Sequence, residues 1–275
     1  MPRDTYSVGY DDAAAEFFGR RRAATHARFF LSHLTRGMKL LDIGCGPGTI
    51  TVDLARLVAP GEVVGVDLEP SQIELAQARA TAERIENVRF QAADIYSLPF
   101  ENDSFDAVFL HGVLEHLSDP IRALHEVRRI LKPGRVLGSR HADFGGFLLE
   151  PAPPPLDQFV PLFERLMLHN GADPHAGRHQ LRWLIEAGFT QIAMSASYDC
   201  WTSTPEQKRV TGRFLQSLVS DSDFARQLLA AGLADRGLLE QLRLAFADWE
   251  KNPVSFAAEA WTEAVAWKTT NAEVD

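Results

Sequence analysis

Residues 40–48 read Leu-Leu-Asp-Ile-Gly-Cys-Gly-Pro-Gly, an apolar run that passes directly into a glycine-rich turn. The run predicts a short buried strand, and the ten residues that follow predict a helix over 49–58. Glycine has no Cβ, so Gly44, Gly46 and Gly48 can adopt positive φ and let another molecule approach the backbone. The first amides of the helix and its dipole would face the same crevice. The stretch therefore predicts a strand–turn–helix unit that holds a ligand.

The glycine spacing alone leaves more than one interpretation open. It is G-x-G-x-G, whereas the dinucleotide-binding fingerprint is G-x-G-x-x-G. Taken by themselves, these nine residues also fit a tight turn without a ligand, or a nicotinamide or flavin site. The residues further along the chain decide between them.

Three further apolar runs follow, and a polar residue stands at or just after the end of each. They cover residues 63–68, 88–95 and 105–110, with Asp67, Asp94 and His111 as the polar residues. An acid at the tip of the second strand of such a unit can accept hydrogen bonds from two ribose hydroxyls. The sequence Leu-Lys-Pro-Gly at 131–134 ends a helix and leads into a fifth predicted strand over 135–139. This alternation of strand and helix indicates a parallel sheet with right-handed crossovers.

In this order and spacing, the motifs of residues 38–141 resemble those of the class I, Rossmann-like S-adenosylmethionine (SAM)-dependent methyltransferases. The resemblance is to the small-molecule enzymes of the ubiquinone and menaquinone biosynthesis type. It implies an α/β fold with a doubly wound, seven-stranded, mostly parallel sheet and a helical cap, and it implies SAM as cofactor. In this pattern Arg135 stands where many members carry a second glycine.

The resemblance also implies a set of cofactor-binding residues. Asp42 would position the amino group of SAM, Asp67 would hold the ribose hydroxyls and Asp94 the adenine amine. The residue after Asp94 would pack on the adenine ring. The full expected set is Asp42, Gly44, Cys45, Gly46, Gly48, Asp67, Leu68, Asp94, Ile95 and His111.

Composition and charge exclude several classes of protein. The formal net charge of −9 weighs against a nucleic-acid partner, which needs a basic footprint for phosphates. The basic run at Arg20, Arg21 and Arg22 is interpreted as a solvated helix face. The fourth strand also lacks the Asn/Asp-Pro-Pro-aromatic motif with which amino-directed DNA methyltransferases grip a flipped base. Two cysteines in 275 residues argue against a disulfide scaffold or a zinc cluster, and no metal is expected.

No apolar run is long enough to span a membrane, and the first residues lack the apolar core of a signal peptide. A cytoplasmic enzyme is therefore expected. Its oligomeric state has no signature in the sequence.

The chain divides into a predicted core and segments that cover it. Residues 1–37 are expected to form an N-terminal helical segment over the cofactor, with one helix across 11–35, and residues 38–141 the SAM-binding core. The proline-rich stretch 150–155 and the helical patterns beyond it predict a substrate cap, over 142–180 and 203–253. Residues 181–202 and 254–268 would complete the sheet. Periodicity leaves 259–268 open between helix and strand, and the resemblance favours an antiparallel last strand beside the sixth.

Candidates for a catalytic base are His111, His141 and Asp143, with His175 and His179 as weaker ones. His111 and His141 stand at strand ends that would face the crevice, and histidine exchanges protons near neutral pH. A dedicated base is optional, because a thiolate, a phenolate or a neutral amine attacks without one. The cap is also rich in aromatic residues, which form either a packed core or an apolar pocket for a ring-bearing acceptor: Phe144, Phe147, Phe159, Phe163, Trp183, Tyr198 and Trp201.

The sequence therefore predicts a methyltransferase that acts on a small-molecule acceptor in biosynthesis or secondary metabolism. The attacking atom is open between oxygen, nitrogen, sulfur and carbon. The alternatives are a quinone-pathway C-methyltransferase, a methyltransferase acting on tRNA or protein, and a SAM-binding protein without turnover.

Overall fold

Seven strands form one mixed sheet in the computed structural model, which describes residues 4–269. The strands are β1 (Leu40–Ile43), β2 (Val63–Asp67), β3 (Val88–Ala92), β4 (Phe105–His111), β5 (Leu131–Glu150), β6 (Gln191–Cys200) and β7 (Phe256–Trp267). Their order is β3-β2-β1-β4-β5-β7-β6. The first five strands are parallel, and β7 lies antiparallel between β5 and β6. The predicted doubly wound sheet with an antiparallel strand beside the sixth is confirmed.

Helices cover both faces of this sheet and build a cap at its edge. They are α1 (Asp12–Phe18), α2 (Ala23–His26), α3 (Arg28–Leu31), α4 (Thr49–Val58), α5 (Pro70–Ala82), α6 (Pro120–Ile130), α7 (Phe159–His169), α8 (Ala176–Glu186), α9 (Pro205–Leu218), α10 (Asp223–Ala230) and α11 (Arg236–Lys251). Short 3₁₀ turns lie at Ile95–Ser97, Leu114–His116 and Leu156–Gln158. Apolar residues of α2, α3 and α4 pack on one face of the sheet, and those of α6 and α8 pack on the other.

Local sequence signals explain where several of the helices begin. Asp11 accepts a hydrogen bond from the Ala14 amide at 2.8 Å and so caps α1. Thr204, Ser222 and Asp235 cap α9, α10 and α11 in the same way. Such a side chain satisfies one of the amides that the first helical turn leaves without a partner.

The single helix expected across 11–35 is wrong, because the segment forms three short helices. Gly19 ends α1, and Arg22 is extended, with φ −138° and ψ 150°. The two halves have different partners: Ala14 packs in the cap, whereas Ala23 and Phe30 pack on the sheet. A straight helix could not bury both sets, so the chain turns between them. That turn brings Arg21 inward.

The cap begins later than residue 142. Strand β5 continues to Glu150, because the twelve-residue β7 offers it a pairing partner along this length. Helix α8 begins at Ala176 and packs Trp183 and Leu184 against the sheet. Residues 142–150 and 176–180 therefore belong to the sheet layers rather than to the cap. The cap consists of Leu156–Gln158, α7, α9, α10 and α11, which share one apolar core with α1.

Candidate active site

The turn after β1 has the backbone geometry that its glycines predict. Gly44, Gly46 and Gly48 have φ of +70°, +50° and +75°, in the left-handed region where a Cβ is strained. A Cβ at Gly44 would lie 2.5 Å from Cγ2 of Val113. A Cβ at Gly48 would lie 2.8 Å from Cβ of Ala76, so this glycine allows α4 to pack closely on α5.

A cavity of about 720 Å³ opens beside this turn, at the carboxyl ends of β1, β2 and β4. This is the edge of an open α/β sheet at which ligands bind, and the volume suits a drug-sized ligand. The N-terminal segment closes the cavity from above through Tyr6, Gly9, Tyr10 and Phe18.

Nine of the ten residues expected to bind the cofactor line this cavity. They are Asp42, Gly44, Cys45, Gly46, Asp67, Leu68, Asp94, Ile95 and His111. The tenth, Gly48, does not line it, because its Cα faces α5. Gly48 shapes the turn, and a contact between it and the cofactor stays a prediction.

The three strand-end acids have different surroundings. Asp42 is buried, its Oδ2 accepts a hydrogen bond from Oγ1 of Thr51 at 2.6 Å, and burial raises its pKa to about 7. Asp67 accepts from the Gly46 amide at 2.9 Å and from the Glu69 amide at 3.0 Å, which ties the tip of β2 to the glycine turn. Asp94 is exposed and accepts from the Tyr96 amide at 2.9 Å.

His111 is held by a buried guanidinium. Arg140 is 1% exposed, and its Nη1 lies 2.8 Å from Nε2 of His111. Because arginine can only donate, Nε2 is the unprotonated nitrogen of the ring. Burial, followed by the positive charges of Arg21 and Arg140, holds the pKa of His111 well below its usual range. The ring is therefore a neutral acceptor whose lone pair is already engaged, which is unsuitable for a general base.

The other two main catalytic candidates lie on the opposite face of β5. Alternation along a strand places Arg140 and Ala142 on one face and His141 and Asp143 on the other. His141 is fully buried, with Nδ1 at 2.8 Å from Oε2 of Glu115 and Nε2 at 2.8 Å from Oγ of Ser139.

Asp143 binds the guanidinium of Arg178 through both oxygens, each at 2.6 Å. His175 lies beside it, with Nδ1 at 3.5 Å from Oδ1 of Asp143, and His179 binds Asp173 at 2.6 Å. Within residues 4–269, the lining of the large cavity, and that of a smaller cavity described next, contains none of these four residues: His141, Asp143, His175 and His179. A catalytic role for these residues stays a prediction, and their position outside the two cavities weighs against it.

A second, smaller cavity of about 60 Å³ lies between the first cavity and the cap, and we call it the aromatic pocket. Five residues line both cavities and form the junction between them: Tyr6, Phe18, Arg21, Gly112 and His116. The remaining walls are mostly aromatic. Of the seven aromatic residues singled out in the cap sequence, Phe144, Phe147, Phe159, Phe163 and Trp201 line this pocket. Trp183 packs in the sheet core instead, and Tyr198 is exposed.

Five polar residues of the aromatic pocket were not expected from the sequence: Arg21, Glu115, His116, Glu259 and Trp261. The guanidinium carbon of Arg21 lies 4.5 Å from the ring centre of Phe18 and 5.5 Å from that of Trp261. The interpretation of 20–22 as a solvated face therefore fails for Arg21. The alternation Glu259, Trp261, Glu263 along the last strand is the one signal that could have pointed to this face.

The fold and the site define an α/β enzyme with its ligand cavity at the carboxyl edge of the sheet, and known proteins give the family. A model of the methyltransferase domain matches residues 34–170. An uncharacterized methyltransferase of Schizosaccharomyces pombe is 34% identical over 257 residues, which cover 90% of each chain. The demethylmenaquinone methyltransferase of Lactiplantibacillus plantarum is 35% identical over 144 residues, 50% of this chain and 60% of its own.

A solved structure shows the same fold. Phosphoethanolamine N-methyltransferase 2 of Haemonchus contortus, in complex with S-adenosylhomocysteine, is 18% identical with a TM-score of 0.59 and covers 94% of this chain and 56% of its own. The chain belongs to the methyltransferase family and is a SAM-dependent enzyme.

Two further findings apply to the described residues 4–269. They contain no cluster of three or more His, Cys, Asp or Glu side chains that could hold a metal ion. None of their helices is both long and apolar enough to cross a membrane.

The neutral state of His111 predicts a pH dependence of stability. Since its pKa is lower in the folded chain than in the unfolded one, the unfolded chain takes up the extra proton and stability falls below pH 6.5. The variant His111→Gln keeps an acceptor for Arg140 but cannot take up this proton. When the pH falls from 7 to 5, we expect its free energy of unfolding to drop by about 2 kcal/mol less than that of the wild type. Urea unfolding at both pH values measures this difference. Equal losses in the two proteins would contradict a neutral, buried His111.

Proposed function

We propose that this enzyme transfers the methyl group of SAM to a small-molecule acceptor bound in the aromatic pocket. One observation carries the proposal: the large cavity beside the glycine turn joins an enclosed aromatic pocket through shared wall residues. A cofactor in the first and an acceptor in the second would meet at Gly112 and His116. The geometry thus provides two subsites for a transfer between two bound molecules.

The first cavity has the features that SAM requires. Gly46 has open space where a Cβ would stand, its nearest atom being 4.0 Å away, so the ligand can lie directly on the backbone. Asp67 would accept hydrogen bonds from the ribose hydroxyls, since the two amides that it already binds leave each oxygen a free lone pair.

The remaining cofactor contacts follow from position. Asp94 and Ile95 would hold the adenine, because both line the cavity beyond the tip of β3. Asp42 would position the amino group of the methionine part. The bound cofactor in the Haemonchus contortus enzyme, S-adenosylhomocysteine, supports the choice of ligand.

The aromatic pocket suits a small, ring-bearing acceptor. Its walls include Phe144 and Phe163, whose rings stack with centres 4.6 Å apart, and the cap covers it. The pocket volume of about 60 Å³ is well below the roughly 300 Å³ at which ligand pockets usually begin, so the acceptor must displace side chains as it enters. A pocket of this size under the cap supports a small acceptor over a polymer chain, and the net charge of −9 disfavours nucleic acid.

The residues of the chain contribute positioning and the exclusion of water. SAM supplies a methyl group already activated on a sulfonium. The two subsites align the acceptor with that methyl, and alignment of this kind lowers the barrier by several kcal/mol, on the order of 7–11 at best. Tyr6, Tyr10 and Phe18 close the cavity from the N-terminal side and keep water from the reacting centre.

A quinol-type ring acceptor is the second candidate. The half-length similarity to a demethylmenaquinone methyltransferase favours it, and the apolar walls of the pocket accept such a ring. In that case carbon, rather than a heteroatom, would receive the methyl group.

Asp67 gives the first test. We expect Asp67→Ala to weaken S-adenosylhomocysteine binding by about 10-fold or more, because hydrogen bonds to a charged group contribute about 1.5–3 kcal/mol each. Asp67→Asn, which keeps one acceptor oxygen for the glycine turn, should lose less. Glu69→Gln is the matched control, since only the amide of Glu69 contacts Asp67. Calorimetry measures all four proteins, and unchanged affinity in Asp67→Ala would remove the ribose assignment.

Methyl-labelled SAM tests the acceptor class. The enzyme is incubated with a cell extract, and small molecules are then separated from RNA and protein. We expect the label in one or a few discrete small molecules. Label in RNA or protein would contradict the proposed acceptor class, and tight cofactor binding without any transfer would contradict turnover on the molecules of that extract.

A further inference from the structure

Glu259 is a buried acid without a partner in the wall of the aromatic pocket. It is 5% exposed, and its carboxyl group makes no hydrogen bond and no ion pair within 4.0 Å to any residue of the described chain, 4–269. Glu263, four residues further along the same face of β7, binds Arg140, Ser195 and Ser197. On this face of β7, Glu263 is therefore held by structural hydrogen bonds, whereas Glu259 is available to bind a ligand.

Two more polar atoms in the same pocket are also unpartnered. The indole nitrogen of Trp261 and Nδ1 of His116 are buried and have no hydrogen-bond partner among the described residues. Buried polar groups are nearly always hydrogen-bonded in folded proteins, so each exception needs an explanation. Together with Glu259, which also borders the neighbouring cleft beside Arg140 and Asp199, these atoms bring polar groups to the wall of an apolar pocket, as in a site that orients a ring carrying a polar substituent.

Burial makes Glu259 a weak acid. Burial is the main cause that raises the pKa of Glu259 to about 8. The positive charge of Arg21 lowers this pKa, and the negative charges of Asp199 and Glu115 raise it. Asp199 and Glu115 are themselves bound, to Arg140 and to His141. The other titratable and charged groups of the elements packed around Glu259 are Tyr6, His26, His116, Arg140 and Glu263.

We propose that Glu259 is the catalytic base that removes the proton from a hydroxyl group of the acceptor. This inference rests on the proposed function and narrows it: the acceptor is a ring-bearing molecule with a hydroxyl, and oxygen receives the methyl group. Trp261 would donate its indole N–H to a polar substituent of the same ring. Arg21, between the two cavities, would stabilise the negative charge that develops on the acceptor oxygen.

The proposed step balances in atoms and in charge. The acceptor proton moves to an Oε atom of Glu259, a bond forms between the acceptor oxygen and the methyl carbon, and the carbon–sulfur bond breaks with its electron pair staying on sulfur. One carboxylate and one sulfonium are consumed, and a neutral acid and a neutral thioether remain. A buried site favours this direction, because two charges disappear from a medium of low dielectric constant.

The charge balance gives a test that needs no acceptor. A unit positive charge at about 10 Å and an effective dielectric constant of about 20 lowers the pKa of a carboxyl group by about one unit. Glu259 should therefore lose part of its proton when cationic SAM binds, and keep it when neutral S-adenosylhomocysteine binds. Near pH 7 we expect SAM to release about half a proton more than S-adenosylhomocysteine.

Calorimetry in several buffers of different ionisation enthalpy measures the proton released with each ligand. The difference between SAM and S-adenosylhomocysteine should disappear in Glu259→Gln and persist in Glu259→Asp. Glu206→Gln is the matched control, because it removes the same charge at an exposed site on α9 outside the pocket. Asp42, which also titrates near pH 7 and lines the cofactor cavity, would respond to the same charge, so all the proteins are compared in an Asp42→Asn background.

The outcomes separate this proposal from the one on which it rests. A SAM-specific proton release that Glu259→Gln abolishes supports Glu259 as the base. Equal proton release with the two ligands in the wild type, or a difference that survives in Glu259→Gln, overturns the base while leaving the cofactor site intact. If neither ligand binds, both proposals fail. Should Glu259→Gln not fold, the wild-type comparison and Glu259→Asp still decide.

Discussion

The buried guanidinium of Arg140 is the constraint on which the site depends. A charge in this position is costly unless hydrogen bonds and counter-charges surround it. Arg140 meets that requirement with the His111 ring, with Asp199 and Ser197 of β6, and with Glu263 of β7. Its contacts join the parallel half of the sheet to the antiparallel pair at its edge. Loss of Asp199 or Glu263 would leave this buried charge with one carboxylate instead of two, so these strands have little freedom to shift.

The same interaction sets the wall between the two cavities. The centre of the Trp261 ring lies 4.4 Å from the guanidinium carbon of Arg140 and 4.7 Å from the centre of the His111 ring. His111 thus faces the large cavity, while Trp261 and the neighbouring Glu259 face the aromatic pocket. The buried charge of Arg140 thus holds the wall between the large cavity and the aromatic pocket. Glu259, which Arg140 does not bind, lies in the pocket where the acceptor is proposed to bind.

Local sequence was sufficient to predict that the glycine turn and the strand-end acids meet at one cavity. The glycine turn and the acids that follow β1, β2 and β3 are encoded within a few residues of each strand end, and parallel strands bring those ends to one edge. The antiparallel last strand beside the sixth followed from the resemblance to a family rather than from periodicity. The spacing of Gly48 does not reveal that Ala76 lies against it.

The acceptor half depends on register and on distant packing, which local patterns do not encode. Side chains alternate between the two faces of β5, so a shift of one residue decides whether residue 140 or residue 141 faces the crevice. The candidate His141 lies on the other face. Glu259 lies at the start of a stretch whose periodicity fits helix and strand equally. Arg21 turns inward only because Gly19 ends a helix that the apolar pattern predicted to be continuous.

In the proposed function, cofactor and acceptor occupy two subsites that meet at one junction. A crystal structure of the enzyme with S-adenosylhomocysteine bound tests this arrangement. We expect the adenine beside Asp94 and Ile95, the ribose on Asp67, and the sulfur pointing through the junction at Gly112 and His116 toward the aromatic pocket. A ligand whose sulfur points away from that junction, or one bound outside the large cavity, would contradict it.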